Sequence, residues 1–234
     1  FNGSGPGVFR KTQAGFQGRV ILAQMQSDAN VYINTLGCAR NLVDAEVMAA
    51  EVRRAGFTIA AEPEAARVII VHTCGFIESA INESIDTILA LAEHKKTGRC
   101  TRLIVTGCLP ERFGRDIAEA LPEVDVFLGT GGRDRLVDAI AGAITPGTCI
   151  FPNPESLALD THASGRRPAT YPMAYLKIAE GCNRRCTYCI IPKLKGRLRS
   201  RQPDDIRREA EELIAAGYKE IVLIAQDSSA YGTD

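Results

Sequence analysis

Three short β-type runs, each followed by a turn bearing a cysteine and then by an amphipathic stretch, constrain this chain more than any other feature. Val31-Tyr-Ile-Asn-Thr35 leads into Leu36-Gly37-Cys38, Val68-Ile-Ile-Val71 into His72-Thr73-Cys74-Gly75, and Leu103-Ile-Val105 into Thr106-Gly107-Cys108. The 3.6-residue period predicts a helix over 41–54, with Leu42, Ala45, Ala49 and Val52 on one face and Gly56 as its stop. A second helix is predicted from Glu78 to about Glu93, burying Ile81, Ile85, Ile88 and Ala92, and a third over 112–120. Residues 124–128 and 134–141 make a fourth strand and helix. Strands alternating with helices call for an α/β fold with a parallel sheet and right-handed crossovers.

Cys38, Cys74 and Cys108 each follow the C-terminal end of a predicted strand, at separations of 36 and 34 residues. In an open parallel sheet those ends share one edge, where sites form at topological switch points. Three thiols distant in sequence are thereby expected to meet and hold a metal cluster. A single cysteine at such a place is more often a buried core residue; three in the same phase are not explained that way. The spacing does not name the metal. Cys100 and Cys149 do not share the phase and are read as non-ligands, and His72 as a neutral strand-end residue.

A second thiol group is compact. Cys182-Asn-Arg-Arg-Cys186-Thr-Tyr-Cys189 has the spacing C-x3-C-x2-C, just after the apolar run Ala174-Tyr-Leu-Lys-Ile-Ala179. Thiolates so close together on a loop favour zinc or iron–sulfur over oxygen-loving cations. A closed structural zinc site takes four ligands, and three leave a corner free for chemistry. Disulfides are disfavoured, since no secretory signal is visible and a reduced compartment is the default.

Twenty-eight basic residues balance twenty-eight acidic ones, which argues against a general polyanion binder. Hydrophobic content of 45% supports an ordinary core in one or two domains. No apolar run approaches the ~18 residues that suggest a membrane span, so a cytoplasmic protein without membrane association is expected.

The cysteine loop, with Tyr188 before its last cysteine, resembles that of radical S-adenosylmethionine (SAM) enzymes. The resemblance implies a [4Fe–4S] cluster on Cys182, Cys186 and Cys189, whose open iron binds SAM and releases a 5′-deoxyadenosyl radical. Thr35-Leu-Gly-Cys-Ala-Arg-Asn-Leu-Val-Asp-Ala-Glu46, together with the turns at Cys74 and Cys108, is similar to the methylthiotransferase branch. That branch implies a second, auxiliary [4Fe–4S] cluster on Cys38, Cys74 and Cys108. Gln226 and Asp227, at the end of the predicted strand 221–225, would then meet the amino group of SAM; as bare residues they serve equally as strand caps. The wording around Cys38, and Ala225-Gln-Asp-Ser-Ser-Ala-Tyr-Gly232, resembles the group that modifies an aspartate of a small-subunit ribosomal protein rather than a tRNA adenosine. A methylthio group placed on that aspartate's β-carbon and an external electron donor follow from the resemblance. A non-catalytic iron–sulfur module is the reading from another class.

The domain organisation expected is an irregular extension over 1–30, the methylthiotransferase α/β domain over 31–142, a Pro-rich linker over 143–172 and the start of a radical SAM partial barrel over 173–234. Arg166 and Arg167 are read as solvated. Lys193, Lys195, Arg197, Arg199 and Arg201 form a basic run after the cysteine loop, with Lys195 where the family carries an arginine. Pro203, Asp204 and Asp205 open a helix lined by Ile206, Ala210, Leu213 and Ile214 and closed by Gly217. A full (β/α)8 barrel takes ~250 residues, so the chain is expected to be an incomplete enzyme, inactive or poorly folded alone.

Overall fold

A computed structural model describes residues 30–159 and 172–234. The extension before Asn30, part of the expected linker, and Arg166 and Arg167 lie outside the described residues.

The first unit is a six-stranded, all-parallel sheet. Its strands are β1 (Asn30–Thr35), β2 (Thr58–Ile59), β3 (Val68–Thr73), β4 (Arg102–Gly107), β5 (Val126–Leu128) and β6 (Thr148–Ile150), in spatial order β2-β1-β3-β4-β5-β6. Every residue of β3 is buried, which is why Val68-Ile-Ile-Val71 reads as one apolar run rather than an alternation. Val68 and Ile70 face one core with Val31, Met48, Val52 and Leu136, whereas Ile69 and Val71 face a second core with Ile88, Leu91, Leu103 and Phe127. Each such side chain contributes roughly 1.5–3 kcal/mol by leaving water.

Helix α1 (Ala39–Arg54) packs on the first face and α2 (Glu78–Ala92) on the second. The chain leaves β1 and β3 to opposite sides, so the strand order reverses between them: a topological switch point. The expected helix over 112–120 is corrected to two, α3 (Cys108–Phe113) and α4 (Arg115–Ala120), broken at Gly114, whose φ is +60°. The region expected as a helix over 134–141 is a 3-10 turn, Arg133–Arg135, followed by α5 (Leu136–Ile140). β6 lies inside the stretch expected to be linker, so the sheet runs past residue 142 and carries Cys149.

The second unit begins with β7 (Met173–Lys177) and β8 (Ala179–Glu180), followed by α6 (Ile191–Lys195), β9 (Arg199–Ser200), α7 (Pro203–Ala215) and β10 (Glu220–Ile224). β7 and β10 pair in parallel across α7, the first βαβ step of a barrel, with Leu176, Leu213 and Tyr218 between them. Part of the basic run folds back: β9 pairs antiparallel with β8, opposing Arg199 to Glu180. Leu42 and Ile214, expected inside, are 44% and 61% exposed. No helix among the described residues is long and apolar enough to cross a membrane.

Candidate functional site

β1, β3 and β4 are neighbours in the sheet, so the turns carrying Cys38, Cys74 and Cys108 lie side by side at its C-terminal edge. Glycines set how closely they approach. A Cβ on Gly37, where φ is +94°, would stand 2.6 Å from the Cβ of Cys74. One on Gly75 would stand 2.7 Å from the carbonyl oxygen of Cys108, and one on Gly107 2.7 Å from that of Thr73. Real Cβ contacts do not come so near.

Side chains tie the same turns together. Asn41, fully buried at the start of α1, donates from Nδ2 to the carbonyls of Leu36 (2.8 Å) and Thr73 (3.1 Å). The Thr73 hydroxyl donates to the carbonyl of Thr106 at 2.8 Å and accepts from the amide of Leu109 at 3.3 Å. Ser84 donates to the Cys74 carbonyl at 3.0 Å, and Arg112 to that of Gly75 at 2.7 Å. Cys38 is exposed, Cys74 half-buried and Cys108 buried. Burial pushes the Cys108 thiol up, against the pull of Lys195. Cys100 is packed within the second core, and Cys149 lies against it from β6.

The compact cysteine loop begins at β8. Gly181 has φ +77°, and a Cβ there would meet the Arg197 carbonyl oxygen at 1.9 Å. The Cys182 amide donates to the carbonyl of Gly196 at 3.1 Å, and the Asn183 side chain accepts from the amide of Leu198 at 3.0 Å. Cys182 and Cys189 are half-exposed and Cys186 is exposed. Tyr188 is 86% exposed. Beside the loop a cavity of about 320 Å³ is lined by Cys182, Asn183, Arg184, Asp227 and Ser229, among others. Asp227 accepts from Arg184 Nε at 2.8 Å and from the Ser229 hydroxyl at 2.6 Å. These bonds, that from Ser229 first, hold its carboxyl below the usual range. Gln226 donates from Nε2 to Glu180, while its buried Oε1 has no hydrogen-bond partner among the described residues.

Between the two cysteine groups lies a buried set of charges that sequence reasoning missed. Lys177 donates to Asp44 and, at 2.7 Å, to Glu180. Lys195 Nζ lies 3.5 Å from Asp44 Oδ2 and 3.9 Å from Glu180 Oε1. Arg133 Nε lies 3.6 Å from Glu51. Burial opposes ionisation of Glu180, but Lys177 and Lys195 outweigh it and hold the carboxyl down at about 2. The same balance, set by Lys177 and then Lys195, holds Asp44 low. Burial takes His72 down to about 4, so it is neutral at pH 7, as expected from its strand-end place; its Nδ1 has no partner among the described residues. Helix α6 packs on α3, Thr130 donates to the Leu194 carbonyl at 2.6 Å, and Arg40 reaches the Ala225 carbonyl at 3.2 Å. The sequence signal was the pair Lys177 and Glu180, placed i and i+3 in an otherwise apolar run beside Cys182.

Among the described residues no three Cys, His, Asp or Glu side chains stand close enough to share one metal ion. A cluster distributes its thiolates over separate irons, so its ligands stand further apart than those of a single ion. The soft donor set, on three turns that glycines let approach closely, fits an iron–sulfur group.

The described folds agree with two family models. Residues 30–129 match the Uncharacterized protein family UPF0004, and residues 176–234 match the Radical SAM superfamily. A curated relative from Desulfosudis oleivorans, named Ribosomal protein uS12 methylthiotransferase RimO, is 53% identical over 205 residues, which is 87% of this chain and 47% of the relative. A protein of the same name from Syntrophus aciditrophicus is 48% identical over 213 residues, covering 88% of this chain and 47% of the relative. One from Myxococcus xanthus is 45% identical over 205 residues, covering 88% and 43%. The chain thus spans about half the length of the curated relatives it matches.

Proposed function

This chain belongs to the radical SAM methylthiotransferase family, and on that premise we propose that the whole protein inserts sulfur and a methyl group at the β-carbon of an aspartate in ribosomal protein uS12. The observation that carries this reading is the pairing of two cysteine groups, one on the edge of a parallel sheet and one on a barrel loop, joined by a shared buried charge set. The substrate follows the printed names of the relatives. Iron–sulfur and SAM chemistry come with the family; the finer assignment is two [4Fe–4S] clusters, one on Cys38, Cys74 and Cys108 and one on Cys182, Cys186 and Cys189.

When bound, these groups supply the radical and the transferred sulfur and methyl group. The chain's own side chains position them. In this reading Gln226 and Asp227 would take the amino group of SAM: Asp227 lines the cavity beside Cys182, and Glu180 fixes the neighbouring Gln226 amide by accepting from Nε2. Arg184 holds the Asp227 carboxylate, restricting its rotation. Gly181 lets the loop lie flat on the Arg197 carbonyl, which no residue with a Cβ could do. An external electron donor and a cytoplasmic setting complete the reading.

The test is an anaerobic assay of the whole protein, reconstituted with iron and sulfide, on uS12 and on tRNA. A mass increase on the uS12 aspartate supports the proposal. Modified tRNA with unmodified uS12 would replace it by the tRNA-adenosine reaction. A preparation that binds no SAM and yields no 5′-deoxyadenosine would leave a non-catalytic iron–sulfur module.

A further inference from the structure

Lys195 belongs to the second unit, yet its ammonium is buried against the first. It is 7% exposed, at the C-terminal end of α6, which packs on the helix opened by Cys108. Its head group is held by one carboxylate from each unit: Asp44 of α1 at 3.5 Å and Glu180, two residues before Cys182, at 3.9 Å. The charge is within electrostatic reach of Cys108 and Cys38. A cavity of about 40 Å³, lined also by His72, Arg133 and Arg199, adjoins it. That is room for a few waters.

A buried ammonium loses much of its hydration, and its two carboxylate partners offset that loss. Placing it in this position therefore requires the two units to dock in one register. The same charge acts electrostatically on Cys108 and Cys38, thiols that become anionic when they bind metal.

We propose that Lys195 is a positioning residue that couples the two cysteine sites, fixing the register of the two units through Asp44 and Glu180 while its charge offsets that of the Cys38–Cys74–Cys108 site. The inference rests on the functional reading above and adds a residue to it. Lys177 serves the same register from β7, bonded to the same two carboxylates, but Lys195 is the cation whose helix packs on the one opened by Cys108 and whose charge reaches that thiol.

The experiment uses the whole protein in two backgrounds. In the first, Cys182, Cys186 and Cys189 are replaced by alanine so that only the sheet-edge cluster remains, and its midpoint potential is measured by a redox titration followed by electron paramagnetic resonance. Lys195→Met, which removes the charge and keeps the length, should lower that potential, because a nearby cation favours the more negative reduced state. In the second, all six cysteines are present and 5′-deoxyadenosine is counted against methylthio product; Lys195→Met should raise that ratio about tenfold, the effect of about 1.4 kcal/mol on one step. Lys195→Arg, whose larger head group can extend into the adjoining cavity, should return both readouts towards the starting protein. If Lys195→Met alone fails to hold iron, the paired variant Lys195→Met with Asp44→Asn, which removes one charge of each sign, is read in its place. A variant that binds its full iron with an unmoved potential overturns the proposal, as does an arginine variant that behaves like methionine. The potential is read without turnover, so it answers for Lys195 even if the starting protein modifies something other than uS12.

Discussion

Gly37 and Cys74 lie so close that a Cβ at position 37 would stand 2.6 Å from the Cβ of Cys74. The contact brings the turn after β1 against the turn after β3, and the positive φ of +94° admits glycine readily and other residues only with strain. Gly37→Ala should therefore cost at least about 2 kcal/mol of stability from backbone strain and overpacking together. It should also lower the iron held at this edge, because Cys38 is the next residue. Urea unfolding and iron content of the purified protein check both; an alanine variant as stable and iron-rich as the parent would show that the two turns have room to spare.

The two cysteine groups sit on different sheets of the fold, so they should load separately. Replacing Cys38, Cys74 and Cys108 by alanine should remove about half of the iron and sulfide and leave the other cluster's SAM-dependent spectral change in place. Replacing Cys182, Cys186 and Cys189 should remove the other half and abolish 5′-deoxyadenosine formation. Colorimetric iron and sulfide analysis under anaerobic conditions reads both. Cys100→Ser and Cys149→Ser should leave the iron unchanged, because both side chains sit in or against the second core.

Much of this arrangement is legible in the sequence, for definite reasons. The run Val68–Val71 is apolar throughout because β3 is covered on both faces, and the cysteines share a phase because each follows a strand of one parallel sheet. Most of the failures fall in the first unit. Leu42 was expected inside, but Asn41 and Asp44 take inward positions instead, one to tie two turns and the other to meet Lys177. No helical period reveals that an inward carboxylate has its partner 133 residues away. β6 was obscured because only Thr148–Ile150 pairs, between Gly147 and Pro152 in a stretch whose prolines suggested a linker. Ile214 repeats with Ile206 and Ala210 along α7, yet among the described residues nothing covers it. The break at Gly114 depends on a left-handed backbone that the sequence only permits.

Asp44 should govern the acid limb of stability. Burial opposes ionisation of its carboxyl, but Lys177 and Lys195 outweigh it and hold the group well below the usual carboxylate range in the folded state. A depressed carboxyl contributes stability that is fully present above its unfolded pKa of about 4 and is lost as pH falls through the folded value. Stability should thus be flat in this contribution from pH 7 to about 5 and decline below about 4. Asp44→Asn leaves two buried ammonium groups short of a partner, so it should cost about 3–5 kcal/mol at neutral pH and flatten the decline in acid. Urea midpoints measured from pH 7 to pH 3 test the sign; an Asn variant whose midpoint keeps the parental acid slope would assign that slope to other carboxylates.

Gln226 should act on SAM rather than on the fold. It follows β10, its Nε2 is held by Glu180, and its buried Oε1 lacks a partner among the described residues. A buried acceptor left unpaired costs about 1–3 kcal/mol, which a donor such as an ammonium group can recover on binding. Gln226→Ala removes that acceptor and should weaken SAM binding about tenfold, the equivalent of about 1.4 kcal/mol, with little change in the urea midpoint. Gln226→Glu keeps an acceptor but sets a second carboxylate beside Glu180, so it should bind SAM more weakly than the parent while retaining the iron content. Calorimetric titration of the reconstituted whole protein with SAM separates these outcomes, and an alanine variant that binds as tightly as the parent would place the amino group away from Gln226, in the cavity lined by Asp227.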